Sequence, residues 1–325
     1  MLVRSLTLKI ASWRFTEWLV RKTFLLRPLV RRFIAGESLE SAIEIAQRLT
    51  SEGYWVTLDY LGENVRSREE AEAAAITFQA MLRRLSASCA SGPTPVDRAC
   101  YLGAEGESPV ERGNISIKLT QCGLDLGDDV ALEHYRSVTR LAAELKTFVR
   151  VDMEHSAYTE RTLQLVEKVF AEFPCTGTVL QSYLHRTGED LDRCVRQGIR
   201  LRLVKGAYLE PASVAITDKA EVDRAFEEQS KKLLLEGKYP AIATHDAKVI
   251  ESLLKFIAEK GIDKRVFEFQ MLYGIRRDLQ AKLLSEGYNV RVYVPFGESW
   301  YPYFTRRLAE RPANLLFIVK ALFKG

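Results

Sequence analysis

The feature that most constrains this fold is a repeated alternation of short β-branched runs with longer helix-like segments. Eight runs have the length and composition of buried strands: WVTLDYLG (55–62), NISIKLT (114–120), FVRVDME (148–154), GTVLQSY (177–183), RLRLVKGAY (200–208), AIATHD (241–246), VFEFQML (266–272) and NVRVYVP (289–295). A helix-like segment follows each run, at 66–90, 128–146, 159–172, 187–197, 218–236, 246–260, 274–286 and 298–310. Eight such units predict an α/β fold, a (β/α)8 barrel of the TIM type with additional N-terminal helices.

The chain around these units divides into a short leading segment and the barrel. Residues 36–52 are rich in Glu and Ala and predict one helix ahead of the first strand. We therefore expect an N-terminal helical segment at 1–54 and the catalytic barrel at 55–325. The Gly- and Pro-containing stretch 91–112 predicts an irregular connection. Thr187 and Asp246 are expected helix caps.

Composition excludes several classes of protein. A hydrophobic fraction of 47% with 28% charged residues is typical of a globular protein, and a net charge of +4 is too small to indicate nucleic acid. The five cysteines lack CxxC spacing, so neither a disulfide framework nor a zinc cluster is expected. The four histidines form no HxH or HxxxH pair. We predict no metal and a reducing, cytoplasmic location.

The N-terminal residues 1–33 mix aromatic side chains with many cations and a single acid, Glu17. This composition is typical of an interfacial amphipathic helix, and equally of a basic helix packed on the body of the protein. There is no secretory signal and no run of 18 apolar residues. The sequence leaves both readings of this segment open.

Nearly every predicted strand ends on a polar residue. The set is Asp59, Lys118, Asp152, Gln181, Lys205, His245, Gln270 and Tyr293. Active sites of such barrels lie where the strands end, and buried charges need partners. A salt bridge explains any one of these residues, but the whole set predicts a functional site at one barrel mouth.

The chemistry of that site is open at this stage. A lysine ending a barrel strand, Lys118 or Lys205, is typical of a Schiff-base aldolase. The excess of cations instead favours a bound anion, and the adjacent Arg306 and Arg307 suit a carboxylate or phosphate unless they form a solvated basic face with Glu310. No GxGxxG or GxxxxGK[ST] motif is present. A binding module without turnover is a third class.

Five motifs together resemble the proline dehydrogenase family in its single-function bacterial form. They are RLRLVKGAYLEP (200–211), AIATHD (241–246), FEFQMLYG (267–274), RVYVPFG (291–297) and YFTRRLAERPAN (303–314). The resemblance extends from Arg32 to Leu322. It implies a distorted barrel that holds FAD at its C-terminal face and oxidises proline to 1-pyrroline-5-carboxylate, the first step of proline catabolism to glutamate.

The resemblance also implies roles for individual residues. Asp152 and Arg202 resemble catalytic residues, Asp152 by holding Lys118 charged and positioned and Arg202 by contacting the flavin near its reactive nitrogen. The implied substrate-binding residues are Lys118, Leu203, Tyr208, Tyr293, Tyr303, Arg306 and Arg307. The implied cofactor-binding residues are Met153, Gln181, Arg202, Val204, Lys205, Gly206, Ala207, Tyr208, Thr244, His245, Gln270 and Leu272. Glu310 is expected to anchor one of the two arginines.

Two further expectations follow. Tyr273 stands where bifunctional relatives often carry a histidine, so one flavin contact differs. The chain has neither a nicotinamide fingerprint nor iron–sulfur spacing, so the electron acceptor must come from outside. The family implies a membrane quinone, peripheral contact at the inner face of the cell membrane through residues 1–33, and a separate pyrroline-5-carboxylate dehydrogenase as functional partner.

Overall fold

All eight predicted strands are present, in chain order around a closed parallel barrel. The computed structural model describes residues 27–89 and 111–309. The strands are β1 (Trp55–Tyr60), β2 (Gly113–Ile117), β3 (Val149–Val151), β4 (Thr176–Gln181), β5 (Arg200–Val204), β6 (Ala241–Ala243), β7 (Glu268–Leu272) and β8 (Val290–Phe296). The pairing of β8 with β1, from Trp55–Arg291 to Tyr60–Phe296, closes the barrel. The predicted fold class is confirmed.

The helices lie close to their predicted positions. They are α1 (Arg27–Phe33), α2 (Leu39–Ser51), α3 (Arg68–Cys89), α4 (Asp128–Glu144), α5 (Thr159–Glu172), α6 (Thr187–Arg196), α7 (Lys219–Glu236), α8 (Ala247–Lys260), α9 (Arg277–Ser285) and α10 (Trp300–Ala309). Asp246 caps α8 as predicted, since its side chain accepts a hydrogen bond from the amide of Lys248. The capping prediction for Thr187 is wrong, because its hydroxyl donates to the carbonyl of Gln181 at 2.6 Å.

Seven of the eight strands are shorter than their predicted runs, and β3 and β6 are the shortest of all. β3 and β6 have three residues each, because the chain leaves the ladder before Asp152 and before Thr244. Only the amide of Asp152 still bonds to the ladder, at 2.8 Å from the carbonyl of Ile117. The polar residues predicted as strand ends therefore stand at the barrel mouth, where they can turn toward a ligand.

The segment before the barrel packs against it. Buried residues on one face of α2, among them Ile43 and Leu49, lie against β1 and β8. Ala35 donates to the carbonyl of Pro295 at 2.9 Å, and Gly297 donates to that of Gly36 at 3.0 Å. The division of the chain at 54/55 stays a prediction. Residues 1–26, most of the 91–112 connection and Glu310 lie outside the described residues.

Charged side chains fill the barrel interior below the mouth. Arg291 pairs with Glu268 at 2.9 Å, and Arg200 pairs with Glu111 at 3.0 Å. Burial raises the pKa of Glu111, but Arg200 and Arg291 together lower it to about 2. Arg150 is fully buried and donates to the carbonyls of Thr178 and Arg200. The mouth therefore rests on a layer of fixed charges.

The rest of the described structure limits two kinds of site. Within residues 27–89 and 111–309, no helix is both long and apolar enough to cross a bilayer. In the same part of the chain, no three His, Cys, Asp or Glu side chains are grouped so that they could hold a metal ion.

Candidate active site

A cavity of about 450 Å³ opens at the C-terminal ends of the strands. Every residue predicted for the site contributes to its wall except Leu203 and Arg306. The wall is formed by Asp59, Leu61, Lys118, Asp152, Met153, Val179, Gln181, Arg202, Val204, Lys205, Gly206, Ala207, Tyr208, Ala243, Thr244, His245, Asp246, Gln270, Met271, Leu272, Tyr293, Tyr303 and Arg307. The structure thus brings the strand-end residues together as predicted.

Two predicted residues lie outside the wall. The side chain of Leu203 is fully buried in the hydrophobic core, because neighbouring residues of a strand point to opposite faces and Arg202 and Val204 face the cavity. Arg306 lies at the rim, where its guanidinium is 3.5 Å from the carboxylate of Glu63 and about one third exposed. Ligand contacts from these two positions stay predictions.

Lys118 is held by a carboxylate that had no predicted role. Its ammonium donates to Asp59 Oδ1 at 2.9 Å, and both side chains are buried. Burial would lower the pKa of Lys118, but Asp59 and, less strongly, Asp152 and Glu63 raise it above its ordinary value. The surrounding carboxylates therefore favour the charged form of Lys118. This disfavours the Schiff-base reading, which needs a lysine with a lowered pKa.

Asp152 has different partners from those predicted. Its Oδ1 accepts from Arg202 Nη1 at 2.6 Å, and its Oδ2 accepts from the Tyr293 hydroxyl at 2.7 Å. Asp152 acts on the charge of Lys118 only at longer range, while Asp59 positions the ammonium. The expectation that Asp152 positions Lys118 is corrected accordingly.

Arg202 is fixed from four sides at the cavity floor. Besides Asp152, its guanidinium donates to Ser116 Oγ at 2.9 Å and to Gln270 Oε1, and it lies 5.2 Å from the ring centroid of Tyr293. Burial raises the pKa of Tyr293 well above its ordinary value, and Asp152 adds to the effect. The floor therefore presents an immobile cation beside a neutral phenol.

Aromatic and cationic groups from the last helix close one side. Arg307 lies 5.3 Å from the ring centroid of Tyr303, and both side chains belong to the cavity wall. The cations Lys118 and Arg307 therefore face the same space as three tyrosines, Tyr208, Tyr293 and Tyr303. Such a wall suits a small anion with an apolar ring.

The opposite wall follows the ends of β5 and β6. Lys205 donates to Asp223 at 2.6 Å and to Asp246 at 3.0 Å. Gly206 has φ +125°, and a Cβ there would lie 2.3 Å from the ring of Tyr183, so only glycine fits. Gly206 therefore packs directly on the Tyr183 ring while it lines the cavity.

A histidine completes this wall. His245 Nε2 accepts a hydrogen bond from the amide of Leu272 at 2.9 Å, so its proton is on Nδ1 when the ring is neutral. The amide of Asp246 donates to the hydroxyl of Thr244 at 3.1 Å. The backbone at the ends of β6 and β7 is thereby held in place beside the cavity.

Two carboxylates at the mouth, Asp59 and Glu63, have partners that the sequence does not predict. Asp59 was recognised as a strand end but given no role, although its carboxylate is the direct partner of Lys118. Glu63, which pairs with Arg306, lies in a loop whose sequence shows no periodic signal. The position of Asp59 at a strand end is the sequence feature that could have indicated its role.

Fold and site together define a barrel enzyme with a cation-lined pocket at the C-terminal face of its strands. The sequence profile of the proline dehydrogenase family matches residues 42–320. The chain belongs to this family. It is 41% identical over 294 residues to proline dehydrogenase 1 of Bacillus subtilis subsp. natto, covering 90% of each chain. It is 39% identical over 329 residues to proline dehydrogenase of Deinococcus radiodurans, covering 100% of this chain and 99% of that protein.

A solved structure has a similar fold over most of this chain. The crystal structure of proline utilization A from Bdellovibrio bacteriovorus, inactivated by N-propargylglycine, superposes with a TM-score of 0.79 and 27% identity. The superposition covers 87% of this chain and 32% of that longer chain. The barrel described above is thus similar to one part of a larger protein.

Proposed function

We propose that this member of the family oxidises L-proline to 1-pyrroline-5-carboxylate with a bound FAD and passes the electrons to a membrane quinone. The observation that carries the proposal is the joint placement of Lys118, Arg307 and three tyrosines over the Arg202–Asp152 floor. The reaction breaks a C–H and an N–H bond of the ring, forms a C=N bond, and delivers two electrons and two protons to the acceptor. It would begin proline catabolism to glutamate.

The residues present fit a flavin. Gly206 and Ala207 present backbone and small side chains to the cavity, Gln181 and Thr244 add polar side chains, and Arg202 supplies a cation at the floor. When bound, FAD supplies a two-electron acceptor. Arg202, held by Asp152, Ser116 and Gln270, would favour negative charge developing beside it without having to reorient. The remaining cofactor residues named above would line the ribityl, phosphate and adenine parts.

The positions of the cations and tyrosines suggest how the substrate would bind. Lys118 and Arg307 would bind the proline carboxylate, with Arg306 joining them from the rim. Tyr208, Tyr293 and Tyr303 would enclose the ring and exclude water from it. Because Asp59 keeps Lys118 charged, the anion site should persist across the physiological pH range.

The electron acceptor and location form a second part of the proposal. A quinone in the bilayer requires the flavin side of the barrel to meet the membrane, and the basic, Trp-containing segment 1–33 offers apolar insertion with attraction to anionic lipid. We propose a cytoplasmic protein with peripheral membrane contact, whose product passes to a separate pyrroline-5-carboxylate dehydrogenase. Flotation with anionic vesicles, with and without residues 1–33, tests the contact. Equal flotation of both forms would contradict the proposed role of residues 1–33 in membrane contact.

One experiment tests the central proposal. The purified protein should be yellow, release FAD on denaturation, and bleach when proline is added without oxygen. A colourless protein that FAD cannot reconstitute would contradict the flavin proposal, and borohydride trapping of a substrate on lysine would then support the aldolase. A flavin that binds but never bleaches would indicate a binding protein.

A further inference from the structure

Glu210 joins two loops at the cavity mouth, although it is not part of the cavity wall. We propose that Glu210 is a positioning residue that tethers the loop after β5 to the loop after β3 and so holds Tyr208 over the site. Neither the motifs nor the strand ends assign this residue a role. The consequence for catalysis rests on the proposed function, whereas the tether itself does not.

The tether uses both oxygens of the carboxylate. The amide of Ser156 donates to Glu210 Oε1 at 2.8 Å, and the hydroxyl of Ser156 donates to Oε2 at 2.6 Å. The Glu210 side chain is only 7% exposed. Hydrogen bonds to an ionised acceptor are stronger than neutral ones, so this contact is more than an incidental surface pair.

A histidine connects the tether to the cavity wall. His155 Nδ1 lies 3.6 Å from Glu210 Oε1, and the His155 ring centroid lies 4.0 Å from that of Tyr208. Tyr208 is thus pressed between this imidazole and the cavity. Glu210 therefore lies next to His155, and His155 contacts Tyr208, which lines the cavity.

The two ends of the loop are fixed independently. Gly206 packs on the Tyr183 ring at one end, and at the other the amide of Ile216 donates to the carbonyl of Tyr183 at 2.7 Å. The second half of this loop is also held by His185, whose amide donates to the carbonyl of Val214 at 3.1 Å and whose ring nitrogen lies 3.0 Å from the carbonyl oxygen of Ala212. In the first half Leu209 is 77% exposed, so the contacts of Glu210 contribute most to the position of that part of the loop.

The position of Tyr208 matters because of its neighbours. Burial and the nearby Glu63 carboxylate raise the pKa of Tyr208, while the cations Lys118 and Arg306 act in the opposite direction. Its phenol therefore lies among the charges proposed to receive the proline carboxylate. A Tyr208 that moves with a loosened loop would leave the substrate ring uncovered on one side.

The test compares three variants in the full-length holoenzyme. Glu210→Ala removes the tether, Glu210→Gln keeps an acceptor for the amide and a donor for the hydroxyl of Ser156, and Leu209→Ala is the matched control on the same loop. Hydrogen exchange of peptides covering 154–158 and 206–214 reports the tether without any turnover. Steady-state kinetics with proline and a soluble quinone analogue report its effect on the site.

We expect Glu210→Ala to exchange about tenfold faster in both peptides and to raise the proline KM about tenfold with kcat within about twofold. Glu210→Gln should recover most of both effects, and Leu209→Ala should match the wild type. Unchanged exchange in Glu210→Ala overturns the tether. Faster exchange with an unchanged KM overturns the positioning role. A wild type without proline activity defeats the proposed function, and the exchange result still decides the tether.

Discussion

Replacing Arg307 by methionine should weaken proline binding while leaving the flavin in place. The arginine lines the cavity and lies 5.3 Å from the Tyr303 ring centroid, and methionine preserves much of that apolar packing while removing the charge. A charge-assisted hydrogen bond to a carboxylate contributes about 1.5–3 kcal/mol. At about 1.4 kcal/mol for each factor of ten, the proline KM should rise about 10- to 150-fold.

The assay separates substrate binding from the other functions of the protein. Initial rates at saturating quinone analogue give KM and kcat, and the flavin spectrum of the purified variant gives FAD content. Arg277→Met is the matched control, because Arg277 also lies over a tyrosine, 5.7 Å from the Tyr273 ring centroid, but outside the cavity wall. A wild-type KM in Arg307→Met would refute the carboxylate clamp, and a loss of FAD in that variant would assign the residue to the cofactor instead.

Three other substitutions test the floor, the wall and a buried acid. Asp152 accepts hydrogen bonds from Arg202 and from the Tyr293 hydroxyl, and Asp152→Asn leaves only one acceptor oxygen for these two donors. The kcat measured with saturating proline should therefore fall at least about tenfold. Gly206→Ala places a Cβ 2.3 Å from the Tyr183 ring at φ +125°, which should cost about 1–3 kcal/mol in thermal unfolding and reduce FAD content. Burial raises the pKa of Glu154 from 4.5 to about 7 despite two hydrogen bonds from Thr120, so the folded protein loses stability as pH rises through this range. Glu154→Gln should therefore be more stable than wild type by roughly 3 kcal/mol above pH 8, with no difference near pH 4 in denaturant titrations.

The sequence predicted the barrel because its signals are local. Each strand is a short β-branched run, and each helix has a periodic apolar face, so all eight units were found with ends shifted by a few residues. The strand-end rule also placed Lys118, Asp152 and Gln270 at one mouth. These predictions require only that the parallel strands start and end together.

The pairings inside the mouth could not be predicted in the same way. Asp59 and Asp152 both end strands near Lys118, and only the register and tilt of the barrel decide which carboxylate reaches the ammonium. Glu63 and Glu210 lie in loops, whose paths depend on contacts between distant parts of the chain. Local patterns carry no information on those distances.

Arg291, in the last strand of the barrel, hydrogen-bonds to groups from the first and seventh strands and from the segment before the second. From β8 its guanidinium donates to the carbonyl of Val56 in β1 at 3.0 Å, to that of Glu111 just before β2 at 2.9 Å, and to the Glu268 carboxylate in β7. Arg291 also donates to the carbonyl of Arg112 at 3.1 Å, so a ribosome-bound chain that lacks β8 would leave that carboxylate and three backbone carbonyls without their cation. We expect nascent chains that end before Val290 to remain open to proteases and chaperones, and the native barrel to form in one late, cooperative step.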